Sequence, residues 1–280
     1  MTHTHKSYTP KSARVLATII FLVLSDGVAW ANPRGAEPDA EPGAAAQQRS
    51  FTPPAQSQGA PNFLFGRPRW TIGAAIGWIS ASQSGEIFDF VREHLTIGEN
   101  AFDMPSLRLL VGRGLGSRAD LLFEFGYGAT SVMSEYNDFE GSDGLPIEQF
   151  SSLTQLPFTA SLRFWLVPRG REVSRLAWIP NRIAPYVGFG VGTIWHRFEQ
   201  YGEFVDVNDL SIFSAQLESS GLAASGHVMG GVSIKLNRFT FADIQVRFVR
   251  SNTPLSQDFV GFDNMDLNGS QVTAGIEWVF

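Results

Sequence analysis

The sequence predicts an all-β protein, an eight-stranded antiparallel, up-and-down β-barrel of the transmembrane kind. Large apolar residues recur at every second position along eight separate runs of the chain, and a period of two is typical of strands. The positions between them carry mainly glycine, alanine, serine and threonine, which suit the narrow interior of a small barrel. Long acidic connections alternate with basic turns, as expected for a meander that crosses a membrane at every strand.

The composition limits the classes of function. The chain has 280 residues and a formal net charge of −6, so we expect no nucleic-acid partner, which would require a basic surface. There is no cysteine, which excludes disulfides, thiolate catalysis and thiolate zinc sites. Outside the N-terminus no apolar run approaches the ~18 residues of a spanning helix. The acidic residues lack the spacing of an EF-hand loop, and we expect neither a metal nor a cofactor.

The N-terminus is predicted to direct secretion. Residues 1–31 resemble a signal peptide, in which basic residues precede an apolar core from Val15 to Leu24 and Ala29-Trp30-Ala31 supplies the cleavage pattern. This core is too short to span a bilayer of ~30 Å as a helix, although an uncleaved anchor is the alternative. Residues 32–66, rich in proline, alanine and glutamine, are predicted to be flexible, and residues 67–280 to form the barrel.

The predicted strands follow one another along the chain, each of roughly 9–11 residues, the length that a tilted membrane strand needs. In the first, tryptophan, isoleucine and alanine share one face. A glycine-rich turn at 114–117 joins the second to the third, and Asn237-Arg238 joins the sixth to the seventh. Pro157 lies inside the fourth and is predicted to mark a β-bulge. The alternation that identifies the eight runs is clearest at residues 70–78, 107–112, 121–128, 156–164, 185–195, 227–236, 243–248 and 272–280.

The fifth run indicates which face points inward. Its glycines at 188, 190 and 192 share one face, where they would cover a water-exposed surface poorly but fit the interior of an eight-stranded barrel. The apolar face then points outward to lipid, and its aromatic residues form two interfacial girdles. A soluble sandwich or barrel is the alternative, because its strands alternate as well. One girdle is predicted from Trp70, Phe164, Trp278 and Phe280, and the other from Trp78, Tyr127, Trp195 and Phe248.

Charge separates along the predicted barrel axis. The connections at about 79–103, 130–152, 196–221 and 250–268 hold 18 Asp and Glu but only 3 Arg. The opposite turns hold 8 Lys and Arg and one Glu. Because such barrels have long extracellular loops and short periplasmic turns, we expect the acidic end outside the cell. The connection from Val167 to Ala184 is long for a periplasmic turn.

Two segments carry a resemblance to a known family. They are Pro185-Tyr-Val-Gly-Phe-Gly-Val-Gly192, and the stretch from Asp266-Leu-Asn-Gly269 through Thr273-Ala-Gly-Ile276 to Phe280. With them, residues 69–280 resemble the OmpA/OmpX-type superfamily of outer-membrane β-barrels. The resemblance implies a location in the Gram-negative cell outer membrane, contact with outer-membrane lipids, and Phe280 as the assembly signal for the barrel-assembly machinery. It does not settle function, because the superfamily includes adhesins, tethers, pores and a few enzymes.

Three charged residues are predicted to meet in the lumen. Arg108, Glu124 and Arg163 face inward by their parity, on neighbouring strands and at similar depth. An unpaired charge there would be costly, so we expect an Arg108–Glu124–Arg163 cluster that fills the lumen. Separate contact of these charges with water at the periplasmic mouth is the alternative.

The sequence favours a non-enzymatic barrel that is structural or binds an extracellular ligand through acidic and aromatic loops. The loop aromatics would form a binding surface or pack the loops on each other, and packing is favoured. They are Phe139, Phe150, Tyr201, Phe204, Phe213, Phe259 and Phe262.

The alternative function is a lipid A-modifying, deacylase-like hydrolase. The stretch from Arg247 to Asn252 is similar in part to the His-x-Ser-Asn motif of lipid A deacylases, with Ser251 at the position of the serine. Val249 stands where the histidine should be, so the base that activates the serine is missing. We therefore expect no catalytic residues.

Overall fold

The structure is a computed structural model, and it describes residues 63–280 except 83, 141–143, 207, 208, 210, 256, 260 and 262. The signal peptide and most of the proline-rich segment lie outside the described residues. A short 3-10 helix spans Gln257–Phe259. The other elements are β1 (Trp70–Ala81), α1 (Glu86–His94), β2 (Met104–Gly114), β3 (Ala119–Glu140), β4 (Pro146–Trp165), β5 (Gly170–Ser174), β6 (Ala177–Pro180), β7 (Ile183–Val205), β8 (Ile212–Lys235), β9 (Thr240–Thr253), β10 (Met265–Asp266) and β11 (Gly269–Val279).

Eight of the strands form a closed antiparallel ring, which confirms the predicted fold class. β1 pairs with β2 on one side and with β11 on the other. The order continues through β3, β4, β7 and β8, and β8 pairs with β9, which pairs with β11. Neighbours in this order are connected along the chain, so the barrel is an up-and-down meander. β5 and β6 form a separate two-stranded hairpin, and β10 adds two residues to β9.

Four strands are about twice as long as the sequence predicted. β3, β4, β7 and β8 have 22, 20, 23 and 24 residues, so most of the expected loops at 130–152 and 196–221 is paired strand. The prediction of long irregular loops there was wrong. Both faces of these extensions carry polar residues as well as apolar ones, as an antiparallel sheet does where it contacts water.

The acidic end of the barrel is closed by a packed apolar cap. α1 places Ile87, Phe88 and Val91 on one buried face, and the rings of Phe88, Phe102 and Phe198 pack edge-on or tilted with centroids 5.3–6.2 Å apart. The connection before β11 adds further apolar side chains. The buried members of the cap are Ile87, Phe88, Val91, Leu95, Ile97, Phe102, Met104, Leu153, Ile194, Phe198, Ala223, Leu255, Phe259, Met265 and Leu267.

The basic end is closed by the β5–β6 hairpin, which explains the long connection after β4. Trp178 of β6 is buried against Phe241 and Val279 at the base of the barrel. Leu64 completes this cluster and exchanges two backbone hydrogen bonds with Trp178, of 2.9 and 3.0 Å. Residues 63–66, which we expected to be flexible, are thus held beneath the barrel at Leu64.

Pro157 does not mark a β-bulge. Phe158 lies opposite Phe125 and Gln155 lies opposite Gly128, so the β3–β4 register continues unchanged across the proline. Pro157 faces Gly126, where a Cβ atom would come within 2.6 Å of the proline ring. The glycine therefore accommodates the proline ring, and the strand stays regular although Pro157 has no amide N–H to donate. The register shift between these strands lies further up, between Glu135 and Glu140.

Among residues 63–280, with the gaps noted, no helix is both long and apolar enough to cross a membrane.

Candidate functional site

The polarity of the barrel is inverted relative to a soluble protein. Large apolar side chains point outward, including Ile76, Phe123, Val191 and Val228, each more than half exposed. Charged and polar side chains point inward, and Arg163 is only 1% exposed. The lumen therefore holds the candidate site, because its buried charges require an explanation.

The upper layer of the lumen is built around Glu124 of β3. Arg108 of β2 donates to Glu124 Oε1 at 2.7 Å, and Arg247 of β9 donates to Oε2. The hydroxyls of Thr159 and Ser161 on β4 also donate to Oε2, at 3.2 and 3.0 Å. One carboxylate thus links β3 to three other strands and accepts four hydrogen bonds, which compensate for the burial of its charge.

A lower layer is built around Arg163 of β4. Its guanidinium donates to Glu277 of β11 at 2.7 Å and to Asp120 of β3 at 3.1 Å. Arg169, which precedes the β5–β6 hairpin, enters the lumen from below and donates to Glu277. The Trp165 indole nitrogen donates to Asp120 at 2.9 Å. The hairpin is therefore held by an ion pair as well as by the apolar cluster around Trp178.

Asp243 of β9 joins the two layers. It lies 3.7 Å from Arg108 of the upper layer and accepts a hydrogen bond of 2.9 Å from the Tyr186 hydroxyl. The Tyr186 ring in turn lies 5.1 Å from the Arg163 guanidinium of the lower layer. The network therefore contains four arginines and four carboxylates, and these charges balance across the barrel. Its ionic members are Arg108, Arg163, Arg169, Arg247, Asp120, Glu124, Asp243 and Glu277.

The predicted three-residue cluster is divided between these layers. The structure brings Arg108 and Glu124 together but places Arg163 against Glu277 and Asp120. The reason is the register of β3 and β4, in which Arg163 lies opposite Asp120 and Glu124 lies opposite Thr159. Counting residues from the strand ends placed Arg163 level with Glu124, whereas in the structure it lies four residues further along β4 than the residue opposite Glu124. Glu277, Asp243 and Arg247 were not predicted as partners, although each alternates with outward apolar residues.

A serine–histidine contact lies beside the upper layer. Ser161 Oγ is 2.9 Å from His227 Nε2 and 3.0 Å from Glu124 Oε2. A carboxylate can only accept, so the Ser161 hydroxyl donates to Glu124 and the His227 ring donates to Ser161. The histidine is then not positioned to remove the serine proton, and the contact supports the charge layer rather than a nucleophile.

Ser251 does not have the surroundings of a deacylase serine. Its hydroxyl donates to the carbonyl oxygen of Ala224 at 2.9 Å, and its backbone N–H donates to Asn268 Oδ1 at 2.9 Å. The side chain faces the lumen and is buried. Nothing in these contacts activates the hydroxyl.

A small cavity of about 40 Å³ lies between the charge layers and the cap. Arg247, His227 and Thr159 line its polar side, and Ile79, Ile194, Val249 and Leu267 line its apolar side. Together with the two charge layers, the cap above this cavity and the hairpin below the lower layer obstruct the lumen. In the described part of the chain, no cluster of histidine and carboxylate residues is arranged to hold a metal ion.

The residues of the predicted girdles lie on the outer face. Trp70, Trp78, Phe164, Phe248, Trp278 and Phe280 are exposed, and Tyr127 and Trp195 are half-buried. Along β4, eight residues separate Phe164 from Leu156, which lies beside Trp195. At about 3.3 Å per residue and a tilt of about 40°, this is roughly 20 Å along the axis, similar to the apolar band of such barrels. The assembly role of Phe280 stays a prediction.

The loop aromatics divide into three groups. Phe259 packs into the cap against Phe198, whereas Phe204 and Phe213 stack on each other near the end of the β7–β8 hairpin. Phe150 and Tyr201 stack on the outer face, with centroids 4.8 Å apart and planes within 4°. Packing thus accounts for Phe259, but Tyr201 remains exposed. The side chains of Phe139 and Phe262 lie outside the described residues.

Comparison with known proteins gives likeness in fold only. No family profile and no curated protein matches the chain. Among solved structures, Neisserial surface protein A is similar at 11% identity over 75% of this chain and 96% of that one, with a TM-score of 0.43. OprG of Pseudomonas aeruginosa is similar at 11% identity over 78% and 98%, with a TM-score of 0.40. Outer membrane protein W of E. coli is similar at 14% identity over 77% and 99%, with a TM-score of 0.35. The structural neighbours are small outer-membrane β-barrels, but such scores carry no argument about individual residues.

Proposed function

We propose that the chain is an integral protein of the Gram-negative outer membrane, exported by a cleaved signal peptide, with an obstructed lumen and a non-enzymatic role exerted through its extracellular surface. The observation that carries the proposal is the inverted polarity of the ring. Burial of apolar surface contributes roughly 25 cal/mol per Å², and here much of that surface lies on the outside. Only a lipid environment provides the burial that these side chains lack.

The filled lumen favours a structural or binding role and argues against a wide pore. Eight strands enclose space for side chains rather than a broad channel. The two layers of ion pairs fill that space, and the cap and the hairpin cover its ends. Solutes would have to break buried ion pairs to pass.

The extracellular extension of β3, β4 and β7 supplies a surface for a ligand. Met133, Phe150 and Tyr201 lie side by side across these strands on the outer face. They are six residues beyond the upper girdle, which is roughly 15 Å above it at the same rise and tilt. An apolar row at that height does not contact the hydrocarbon. An exposed apolar row of this kind is typical of a surface that binds a partner.

The neighbours of this row indicate the charge of the partner. Glu135, Glu148 and Glu203 occupy the next outward positions on the same three strands, and all three are exposed. Aromatic faces beside carboxylates attract cationic groups. The extracellular ligand therefore has a basic or cationic contact surface.

Cysteine labelling of intact cells tests the location and the orientation, since the chain has no native thiol. Ser214, in the extension of β8, and Ser117, in the β2–β3 turn, are both exposed. We expect Ser214→Cys to react with a membrane-impermeant reagent in intact cells and Ser117→Cys to react only after the outer membrane is opened. Mass spectrometry of the mature protein should find Asn32 as its first residue. Labelling of Ser117→Cys alone in intact cells would contradict the orientation, and a soluble periplasmic product would contradict the proposal.

A further inference from the structure

The periplasmic end of the barrel carries a dense basic rim. Apart from the buried Arg169, nine cationic residues lie in the turns and in the residues that lead into β1, with Glu172 as the one acid in these segments. They cannot neutralise one another within the rim, so its local potential is strongly positive. The basic rim consists of Arg67, Arg69, Arg113, Arg118, Arg171, Arg175, Arg182, Lys235 and Arg238.

Two members of the rim lie at the lower edge of the apolar belt. Arg113 follows Val111 on the outer face of β2, and its guanidinium lies 5.4 Å from the centroid of the Trp70 ring. Arg238 lies 4.8 Å from the ring of Phe239. Both rings are exposed. Each pair joins an apolar ring to a cation, the arrangement that residues adopt where hydrocarbon meets headgroups.

The rim is distributed around the barrel rather than gathered in a pocket. Arg113 and Arg118 flank the β2–β3 turn, Arg182 precedes β7, and Arg238 lies in the β8–β9 turn. The lumen above the rim is filled by the lower charge layer, so a soluble anion has no open path beyond it. A layer of anionic groups surrounding the barrel fits this distribution better than a single bound anion does.

We propose that the basic rim binds the phosphate groups of anionic phospholipids in the periplasmic leaflet. This inference rests on the proposed membrane location. Arginine suits the role because its planar guanidinium can donate two hydrogen bonds to one phosphate. The rim then anchors the barrel vertically and gives it a preference for anionic lipid, while the acidic extracellular end avoids it.

The test is the stability of the full mature chain in vesicles of phosphatidylcholine with and without phosphatidylglycerol, at matched acyl chains. We expect phosphatidylglycerol to raise the urea midpoint of unfolding, and high salt to remove the rise because it screens exposed charges. Arg113→Gln and Arg238→Gln should each lose part of the rise, and the double variant about a fifth of it, because each cation near an anionic surface contributes a similar amount. All of them should keep the parent's midpoint in phosphatidylcholine alone.

Arg92→Gln is the matched control, because Arg92 lies on α1 in the cap and pairs with Asp89. It should retain the full rise. An equal midpoint in both lipids would overturn the inference while leaving the membrane location intact, whereas failure to insert into either lipid would overturn the proposed function itself. An equal rise caused by soluble glycerophosphate in phosphatidylcholine vesicles would show a general anion site and overturn the lipid assignment.

Discussion

Glu124 accepts hydrogen bonds from two arginines and two hydroxyls inside the barrel. Glu124→Gln would leave Arg247 without a carboxylate partner and Arg108 with only the more distant Asp243. Removal of one partner of a buried ion pair costs about 3–5 kcal/mol. We therefore expect a loss of this size in the free energy of unfolding, measured by urea titration in detergent or lipid.

Glu148→Gln is the control for that variant. Glu148 lies on the outer face of the extension and is exposed, and surface changes of this kind stay within about 0.5 kcal/mol. If both variants were as stable as the parent, the lumen would contain enough water to solvate its charges and the ionic network would not hold the strands.

Two glycines on neighbouring strands show whether a glycine is required because another strand lies close to it. A Cβ atom at Gly192 would lie 2.1 Å from the carbonyl oxygen of Phe158, whereas none of the described atoms lies within 4 Å of one at Gly226. Gly192→Ala should lower the stability by about 1–3 kcal/mol through overpacking. Gly226→Ala should be neutral or slightly stabilising, because alanine restricts the unfolded chain. The same urea titration measures both, and equal effects would contradict the close approach of β4 and β7.

Single residues also show how far the sequence could predict the site. Parity along the strands was sufficient to place Arg108, Glu124 and Arg163 inside. The partner of Arg163 depended on the stagger between strands, and a sequence carries no direct signal for that stagger when both faces alternate regularly. Arg169 was beyond prediction for another reason, because its position follows from a hairpin folded back beneath the barrel.

At the level of elements, α1 holds the cap through one apolar face. Phe88 is buried between Phe102 and Phe198, while Phe90 on the same helix is exposed and stacks on His94. Phe88→Ala should destabilise the cap by about 3–5 kcal/mol, and Phe90→Ala should have little effect. Limited proteolysis of the connection 82–103 is the measurement, because the cap can open while the barrel stays folded.

The expected result is faster cleavage of Phe88→Ala than of Phe90→Ala, with the barrel of both variants resistant. Equal cleavage of the two variants would mean that α1 does not pack on the barrel as described.

The long strands were the elements that the sequence predicted least well. The segments 130–140 and 196–205 carry acids and polar residues, which in a membrane strand would argue for a loop. In the structure they are strands, and in the proposed membrane location they lie outside the bilayer, where a charged outward side chain has no desolvation cost. The membrane-crossing parts were predictable because contact with lipid requires an outward apolar residue at every second position. The extensions were not predictable, because a strand in contact with water has no such requirement.

At the level of the whole molecule, the barrel separates three environments. In the proposed orientation, the acidic extension and cap face outward from the cell, the apolar belt lies between the two girdles, and the basic rim faces the periplasm. The same ring places four arginines and four carboxylates in its interior. This arrangement supports lipid around the belt, and a membrane location is the central claim of the proposed function.

Fluorescence quenching in vesicles tests that claim most directly. A small fluorophore on Ile76→Cys, Val191→Cys or Val228→Cys, on three different strands of the belt, should be quenched by lipids brominated in their acyl chains and not by aqueous iodide. The same fluorophore on Ser214→Cys should show the reverse, because that residue lies in the extracellular extension. Quenching of the three belt positions by iodide, with no effect of the brominated lipids, would contradict the membrane location.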